Sequence, residues 1–147
     1  MSLNFVRARL SHVVDYVRIG ELNTSRFNTV TTDPVEALAE IQNSVTYMIE
    51  LDGFIIGFVG YITHNPNHAY VSEVQVEPAF RKRGFGGHAL DFVLNELSGV
   101  ELVDLHTHPE NPAQNLYERH GFKKTAEIIL NYHGTGEPRM RMVLVRK

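Results

Sequence analysis

The apolar residues of this chain first fall into short runs that are typical of strands. Apolar and β-branched side chains dominate 45–51 and 54–63, and such side chains favour an extended backbone. The dipeptide Asp52-Gly53 separates the two runs. It predicts a tight hairpin turn, because both residues tolerate a positive φ. A third run over 70–76 predicts that the chain continues as an antiparallel meander.

Other stretches place their apolar residues at helical spacing. Asp33-Pro34 is typical of a helix start, with an N-cap residue followed by proline at the first helical position. A later helix is predicted to begin with Asn111 as its cap, to use Gln114 in a capping box and to end at Gly121. The predicted helices cover 11–22, 33–43, 84–97 and 111–120.

The order of the predicted elements along the chain is β-α-α-β-β-β-α-β-α-β-β. It predicts an α/β fold of the α+β type, with a mixed, mainly antiparallel sheet of roughly six to seven strands flanked by about four helices. No linker or internal repeat divides the sequence, so we expect 1–147 to form a single domain. The remaining predicted strands cover 3–9, 100–106, 122–131 and 139–145.

Composition narrows the classes of protein that fit this pattern. The 147 residues carry a formal net charge of −3 and contain no cysteine. Disulfides, thiolate metal sites and a cysteine nucleophile are therefore excluded, and the acidic balance argues against a nucleic-acid binder. No apolar run reaches the roughly 20 residues of a membrane helix. We expect a protein of the reducing cytoplasm with neither a membrane nor a nucleic-acid partner.

One glycine-rich turn carries the clearest chemical signal. It follows the strand over 70–76 and opens the helix over 84–97. Glycines let the backbone pass close to a ligand, and the free N–H groups and dipole of a helix start attract anions. The segment predicts a diphosphate cradle, the alternative being a solvated turn, and it matches neither a nucleotide P-loop nor a dinucleotide-binding motif. The turn reads Arg81-Lys82-Arg83-Gly84-Phe85-Gly86-Gly87.

Two motifs resemble those of a known superfamily. The pattern Arg81-x-x-Gly84-x-Gly86, between a strand and a helix, resembles the coenzyme-binding motif of the GNAT (Gcn5-related N-acetyltransferase) superfamily. The stretch 111–122, with its Asn, Ala, Leu-Tyr and Gly-Phe, resembles a later helix of the same proteins. The chain is therefore identified as a member of this superfamily, most similar to the ribosomal-protein and peptide N-terminal acetyltransferases.

The resemblance implies an acetyl-coenzyme A-dependent N-acetyltransferase that transfers the acetyl group directly to a primary amine. It implies that the strand with Val74 and Val76 splays from its neighbour, so that its backbone binds the pantetheine arm. N–H groups from Arg83 through Gly87 would hold the diphosphate, and Asn111 would touch the coenzyme from the other side. The coenzyme-binding residues implied in this way are Val74, Val76, Arg81, Lys82, Arg83, Gly84, Phe85, Gly86, Gly87, Asn111 and Tyr117.

Three polar residues are candidates for proton transfer. Tyr117 matches the tyrosine that many of these enzymes place beside the coenzyme sulfur, where a phenol can protonate the thiolate; the alternative is a core aromatic on a helical stripe. His106, at a strand end, and Glu73, on the coenzyme-binding strand, both match positions that hold the base, and the choice between them is open. His106 and His108 alternate and could share a metal, but no third ligand follows at a recognisable spacing, so we expect none.

The acceptor is encoded less clearly than the coenzyme site. The loop over 131–139 resembles a stretch of the N-terminal peptide acetyltransferases, which favours a peptide or protein amine, with a small amine as the next choice. Two other functions stay open: a non-catalytic coenzyme A-binding sensor or regulatory module, and a phosphate-recognising regulator without a pantetheine slot. A homodimer through an edge strand of the final hairpin is also left open.

Overall fold

The computed structural model describes residues 1–146. The strands are β1 (Leu3–Arg7), β2 (Val45–Leu51), β3 (Phe54–Asn65), β4 (His68–Val76), β5 (Leu102–Thr107), β6 (Lys123–Ile129) and β7 (Arg139–Val145). The helices are α1 (Val13–Asn23), α2 (Pro34–Asn43), α3 (Phe85–Glu96) and α4 (Gln114–Arg119), with short 3₁₀ helices at Leu10–His12 and Pro78–Phe80. The predicted fold class is confirmed: one mixed sheet of seven strands in the order β1-β2-β3-β4-β5-β7-β6 carries these helices. No helix of residues 1–146 is long and apolar enough to cross a membrane.

The amino-terminal half of the sheet is the antiparallel meander that the sequence predicts. At the turn between β2 and β3, Asp52 has a φ of 50° and Gly53 a φ of 86°, the left-handed pair of a tight hairpin. β4 then lies parallel to β5, because α3 carries the chain across the sheet between them. This single parallel neighbour pair makes the sheet mixed and puts two strand ends at the same edge.

The sheet separates two apolar clusters. On one face, Tyr16 and Ile19 of α1 are buried against Phe58 of β3, and the Tyr16 and Phe58 rings stack at 3.9 Å. On the other face, α3 buries Leu90 and Val93 completely. Each such side chain stabilises the fold by roughly 1.5–3 kcal/mol. The helices are therefore fixed on both faces, and they position the segments that follow or precede them.

β4 and β5 pair over only a short stretch before they diverge. Their parallel pairing extends no further than Tyr70 and Asp104. Beyond these residues, 71–76 of β4 and 105–107 of β5 do not pair with each other. The predicted V-shaped opening therefore separates the carboxyl ends of the two strands, where open sheets commonly bind ligands.

The prediction that a helix begins at Asn111 was wrong. Asn111 Oδ1 accepts a hydrogen bond from the N–H of Ala113 at 2.9 Å, which forms a turn, and α4 begins only at Gln114. Gln114 makes no capping box, because its buried side chain donates to the carbonyl of His108 at 3.2 Å. The side-chain amide of Gln114, which the sequence pattern assigned to the helix start, is thus bonded to the preceding loop.

Candidate active site

Two adjoining cavities lie along the unpaired end of β4, and one of them extends across the opening to β5. One, of about 640 Å³, lies against the glycine-rich start of α3; we call it the cradle cavity. The other, of about 590 Å³, lies between α2, β4, β5 and the loop that joins β6 to β7; we call it the charged cavity. The two share a wall, so that molecules bound in them can meet there. The shared lining residues are Phe27, Asn28, Val74, Gln75, Asn111 and Tyr117.

The turn before α3 and the first residues of the helix line one part of the cradle cavity. Lys82 and Gly84 have positive φ values of 63° and 85°, and this sharp turn delivers the chain into α3. Because α3 begins at Phe85, the N–H groups of Phe85, Gly86 and Gly87 have no partner within the helix. All three residues line the cavity, where the helix dipole also favours negative charge. The geometry is that of an anion site.

Gly86 keeps the centre of the cradle cavity open. A Cβ built on Gly86 would lie 3.7 Å from Leu116 Cδ2, 3.8 Å from Val76 Cγ2 and 3.9 Å from Val74 Cγ1. These are ordinary van der Waals distances, so a methyl group fits at this position. Any longer side chain would extend into the cavity and take the space of a ligand.

The three basic residues before α3 have two different environments. Arg81 and Lys82 line the cradle cavity, whereas the Arg83 guanidinium lies 5.7 Å from the Phe80 ring and 5.3 Å from the Phe85 ring. Arg83 is the one residue of the predicted coenzyme-binding set that lines neither cavity. Its charge stays near the turn, but its side chain packs on aromatic faces.

Glu73 reaches the charged cavity because β4 contains a bulge. Gly60 of β3 pairs with Glu73, but the next residue, Tyr61, pairs with Val71, which leaves Ser72 without a partner. The extra residue reverses the alternation of side chains along the strand. Val71 is therefore buried in the core, and Glu73, two residues later, faces the opposite side and lines the cavity.

The environment of Glu73 favours its protonated form. Burial raises the pKa of Glu73 to about 8, the Gln75 amide opposes this rise, and the charge of Glu40 adds to it. A carboxyl group with such a pKa exchanges its proton close to neutral pH, which is the property expected of a general base or acid.

A chain of hydrogen bonds connects the cradle to Glu73. Arg81 donates to Asn23 Oδ1 at 2.6 Å, and Asn23 donates to Gln75 Oε1 at 3.0 Å. Gln75 in turn donates to Glu73 Oε1 at 3.2 Å. Asn23 and Gln75 are both buried, and every donor points towards the carboxylate, so the Arg81 charge polarises the whole chain.

Tyr117 lies in the wall between the cavities. Its ring packs edge-on against Phe122, with the ring centroids 6.2 Å apart, as expected of an aromatic residue of the core. Its side chain also lines both cavities. Burial raises the pKa of Tyr117 to about 12, with a smaller contribution from the charge of Glu73. The phenol therefore keeps its proton throughout the neutral range and is available as a donor.

His106 lines the charged cavity from β5 and is held by aromatic neighbours. Its Nδ1 lies 2.9 Å from the Tyr70 hydroxyl, and its ring stacks on Tyr132 at 4.9 Å. Burial lowers the pKa of His106, and the charge of Asp104 acts in the opposite direction. The imidazole is thus mainly neutral at pH 7 and, like Glu73, can accept a proton.

His108 has different partners from His106. Its side chain is 1% exposed, and its Nδ1 accepts the N–H of Glu110 at 3.0 Å, which assigns the ring proton to Nε2. That nitrogen donates to Glu137 Oε1 at 2.8 Å, tying the end of β5 to the β6–β7 loop. Among residues 1–146, no three His, Asp or Glu side chains are arranged to hold a metal ion.

Asn23, Gln75 and Arg139 belong to this site but were not predicted from the sequence. In the Val-Gln-Val alternation of β4, Gln75 has the position of a solvent-facing residue, but α1 covers that face of the sheet. Arg139 alternates with Arg141 on β7 and has the same appearance, yet it is only 3% exposed. Nothing in a single sequence distinguishes such polar residues from surface ones, because the helix or loop that covers them is far away in the chain.

Comparison with known proteins agrees with this architecture. The model of the acetyltransferase (GNAT) family matches residues 16–122. The mouse cysteine-rich protein 2-binding protein is 33% identical over 81 residues, which are 55% of this chain and 10% of that protein. The L-2,4-diaminobutyric acid acetyltransferase of Virgibacillus pantothenticus is 31% identical over 97 residues, 62% of this chain and 61% of that enzyme. The chain therefore spans about a tenth of the first relative and less than two thirds of the second.

A solved structure shows the same fold over the full length. The ribosomal-protein-S18-alanine N-acetyltransferase of Escherichia coli superposes with a TM-score of 0.81 at 19% identity, covering 98% of this chain and 94% of that one. The family match itself extends from Tyr16 in α1 to Phe122 and so includes the bulged strand, the glycine cradle and Tyr117. The chain belongs to the acetyltransferase (GNAT) family.

Proposed function

We propose that the protein is an acetyl-coenzyme A-dependent N-acetyltransferase that moves the acetyl group directly to a primary amine. One observation carries the proposal. A carboxyl group with a pKa of about 8, Glu73, and a phenol that keeps its proton, Tyr117, line the same pair of adjoining cavities. The cradle cavity suits an anion, and the charged cavity has space for an acceptor. Membership of the GNAT family supports the same reaction class.

The cradle cavity fits the coenzyme. The free N–H groups at the start of α3 suit a diphosphate, and Arg81 and Lys82 add positive charge beside it. The edge of β4 that faces away from β3 has no strand partner at Val74 and Val76. The carbonyl of Val76 accepts from Asn23 and Arg81, so the N–H groups of these two valines and the carbonyl of Val74 would pair with the amides of a pantetheine arm. The coenzyme would supply the acetyl group as a reactive thioester.

The residues of the shared wall would then divide the proton transfers. Glu73 accepts a proton from the acceptor amine, directly or through water, and the nitrogen becomes nucleophilic. A main-chain N–H near Val76 donates to the acetyl oxygen as negative charge develops there. While the C–N bond forms and the C–S bond breaks, Tyr117 gives its phenolic proton to the departing sulfur. Solvent returns the proton of Glu73 to Tyr117, and no covalent bond to the protein is needed.

His106 is the competing base in this proposal. It lines the same cavity as Glu73, and its lowered pKa keeps it ready to accept a proton. Glu73 is favoured because the hydrogen-bonded chain through Gln75 connects it to the cradle. The pH dependence of the rate separates the two residues, since their pKa values are shifted in opposite directions.

The acceptor in this proposal is a primary amine on a peptide, a protein or a small molecule. The similar proteins support both a small-molecule and a protein acceptor. One is an L-2,4-diaminobutyric acid acetyltransferase, and the other is a ribosomal-protein-S18-alanine N-acetyltransferase. The proposal also places the protein in the cytoplasm, where both substrates occur. A homodimer through β6, an edge strand of the sheet, stays a prediction.

Calorimetric titration with acetyl-coenzyme A tests the proposal first, with ADP as the control. We expect saturable binding of the coenzyme at least about tenfold tighter than that of ADP, because only the coenzyme fills both the cradle and the β4 edge. A panel of amines and peptides, with release of free coenzyme A thiol as the readout, then tests transfer. Equal binding of ADP would contradict the pantetheine site, and binding without turnover on the whole panel would indicate a non-catalytic coenzyme-binding module.

A further inference from the structure

The charged cavity contains a buried cation that the transfer reaction does not use. Arg139, the first residue of β7, lines this cavity and is only 3% exposed. Its guanidinium donates to the carbonyl of Pro138 at 2.9 Å and to the hydroxyl of Thr29 at 3.4 Å. Both partners are neutral. Within residues 1–146, no carboxylate oxygen lies within 4.0 Å of its nitrogens.

The lack of a counter-ion is unusual for so buried a charge. Arg141, two residues further along β7, is more exposed, and yet it pairs with Asp104 at 2.9 Å and with Glu127 at 2.8 Å. Glu137, the carboxylate nearest to Arg139 in the chain, is held by His108 instead. Buried charges are normally paired, because an unpaired one loses its hydration without compensation. Burial lowers the pKa of Arg139, and the charge of Glu137 acts in the opposite direction. Glu137 therefore acts on Arg139 through space without forming an ion pair with it.

Residues of both charges line this cavity from different elements. Glu36 and Glu40 belong to α2 and Glu73 to β4, whereas Arg139 is the first residue of β7. An acceptor that spans the cavity from α2 and β4 to β7 therefore meets carboxylates at its acidic end and a guanidinium at the other.

On the basis of the proposed function, we propose that the acceptor is a small amine that also carries a carboxylate, with the carboxylate held by Arg139 and the amine directed to Glu73. A guanidinium presents paired N–H donors that match the two oxygens of a carboxylate. The acidic end would attract the ammonium group and then take its proton.

Two contacts between loops favour a small molecule over an extended peptide. The bond from Arg139 to Thr29 connects β7 to the loop between α1 and α2, and Arg26 of that loop pairs with Glu110 at 2.9 Å. The loop is thereby tied down over the carboxyl end of β5. With the loop held there, an extended peptide would need space beyond this cavity, whereas an amino-acid-sized acceptor fits within its volume of about 590 Å³.

The test compares each amino acid with its own carboxamide, which has the same shape without the negative charge. Lysine, 2,4-diaminobutyrate and β-alanine serve as probes at saturating acetyl-coenzyme A, with kcat/KM as the readout. For at least one pair, we expect the acid to be acetylated about 10- to 100-fold more efficiently than the amide, the gain of a charge-assisted hydrogen bond. Equal values for every pair, or a better rate with an amidated peptide, would overturn the proposal.

Variants locate the effect. In Arg139→Met, the acid-to-amide ratio should fall towards one, and Arg139→Lys should recover part of it. Arg7→Met, which removes an exposed arginine of the edge strand β1 that lines neither cavity, should leave the ratio unchanged. A ratio that survives in Arg139→Met would assign the carboxylate to another group. Thermal unfolding and coenzyme calorimetry on each variant separate a misfolded protein from a lost site.

Failure of the proposed function has a different signature. If the coenzyme binds but no amine is acetylated, the same acid and amide pairs are titrated into the coenzyme A complex. Tighter binding of the acid that disappears in Arg139→Met supports the carboxylate site without any turnover. Equal binding of acid and amide, or binding of neither, overturns it.

Discussion

The two cavities are built in different ways, although they share a wall. The cradle cavity owes its chemistry to main-chain N–H groups of a few consecutive residues at the start of α3, where Gly84, Gly86 and Gly87 contribute no side chain. The charged cavity owes its chemistry to side chains from distant segments, such as Glu40, Glu73, His106 and Arg139. A site made of backbone needs a fixed local pattern, whereas a site made of side chains can be rebuilt one residue at a time. We therefore expect substitutions to be tolerated less in the cradle cavity than in the charged cavity.

Substitution of Gly86 by Glu should have the largest effect, and it changes the cradle cavity without changing the charged cavity. The carboxylate would extend past Leu116, Val74 and Val76 into the cavity and would repel a diphosphate. We expect the affinity for acetyl-coenzyme A to fall by at least about 100-fold in calorimetry. Gly86→Ala is the matched control: its methyl group meets only ordinary contacts, so binding should change about threefold or less. Retained affinity in the glutamate variant would place the coenzyme elsewhere.

Substitution of Glu73 by Gln should act on the charged cavity and leave the cradle intact. If Glu73 is the base, kcat/KM for the acceptor rises with pH through its raised pKa of about 8, because only the carboxylate accepts a proton. Glu73→Gln should lower this rate by about 100-fold and remove that limb of the profile. The ionisation of the acceptor is common to both proteins and cancels when their profiles are divided.

The same profile decides the role of His106. Burial lowers the pKa of its imidazole below the ordinary value, so a limb due to His106 would lie on the acid side of neutrality. We expect His106→Ala to keep the limb near pH 8. Loss of that limb in His106→Ala, with the limb kept in Glu73→Gln, would exchange the roles of the two residues.

Substitution of Tyr117 by Phe should have the smallest effect of the three, and it tests the wall between the cavities. The ring and its packing on Phe122 remain, and only the proton donor is lost. We expect kcat to fall about tenfold, since a thiolate is a fair leaving group even when unprotonated, while the dissociation constant of the coenzyme changes little. An unchanged kcat would mean that Tyr117 has only a packing role in the core.

The sequence predicted the fold class, and it placed the glycine-rich turn correctly before a helix, because both features depend on neighbouring residues. Alternating apolar runs, the Asp52-Gly53 turn and the glycines before α3 each act over a few positions. The failures have a different cause. The helix start predicted at Asn111 was lost to a turn and to a loop carbonyl that binds Gln114, and Arg139 became buried through contact with Thr29, 110 residues away. Such contacts depend on the folded arrangement and leave no local pattern.

The short pairing between β4 and β5 has a consequence for the lifetime of the protein. Across the middle of the sheet, the strands are joined at three positions only, His68 with Leu102, Ala69 with Val103 and Tyr70 with Asp104. A coenzyme that occupies the opening would act as a clamp across this seam. At 100 times its dissociation constant, such a ligand adds about 2.7 kcal/mol to the free energy of unfolding. The coenzyme-free protein should therefore be cut by a protease faster than the coenzyme-bound protein.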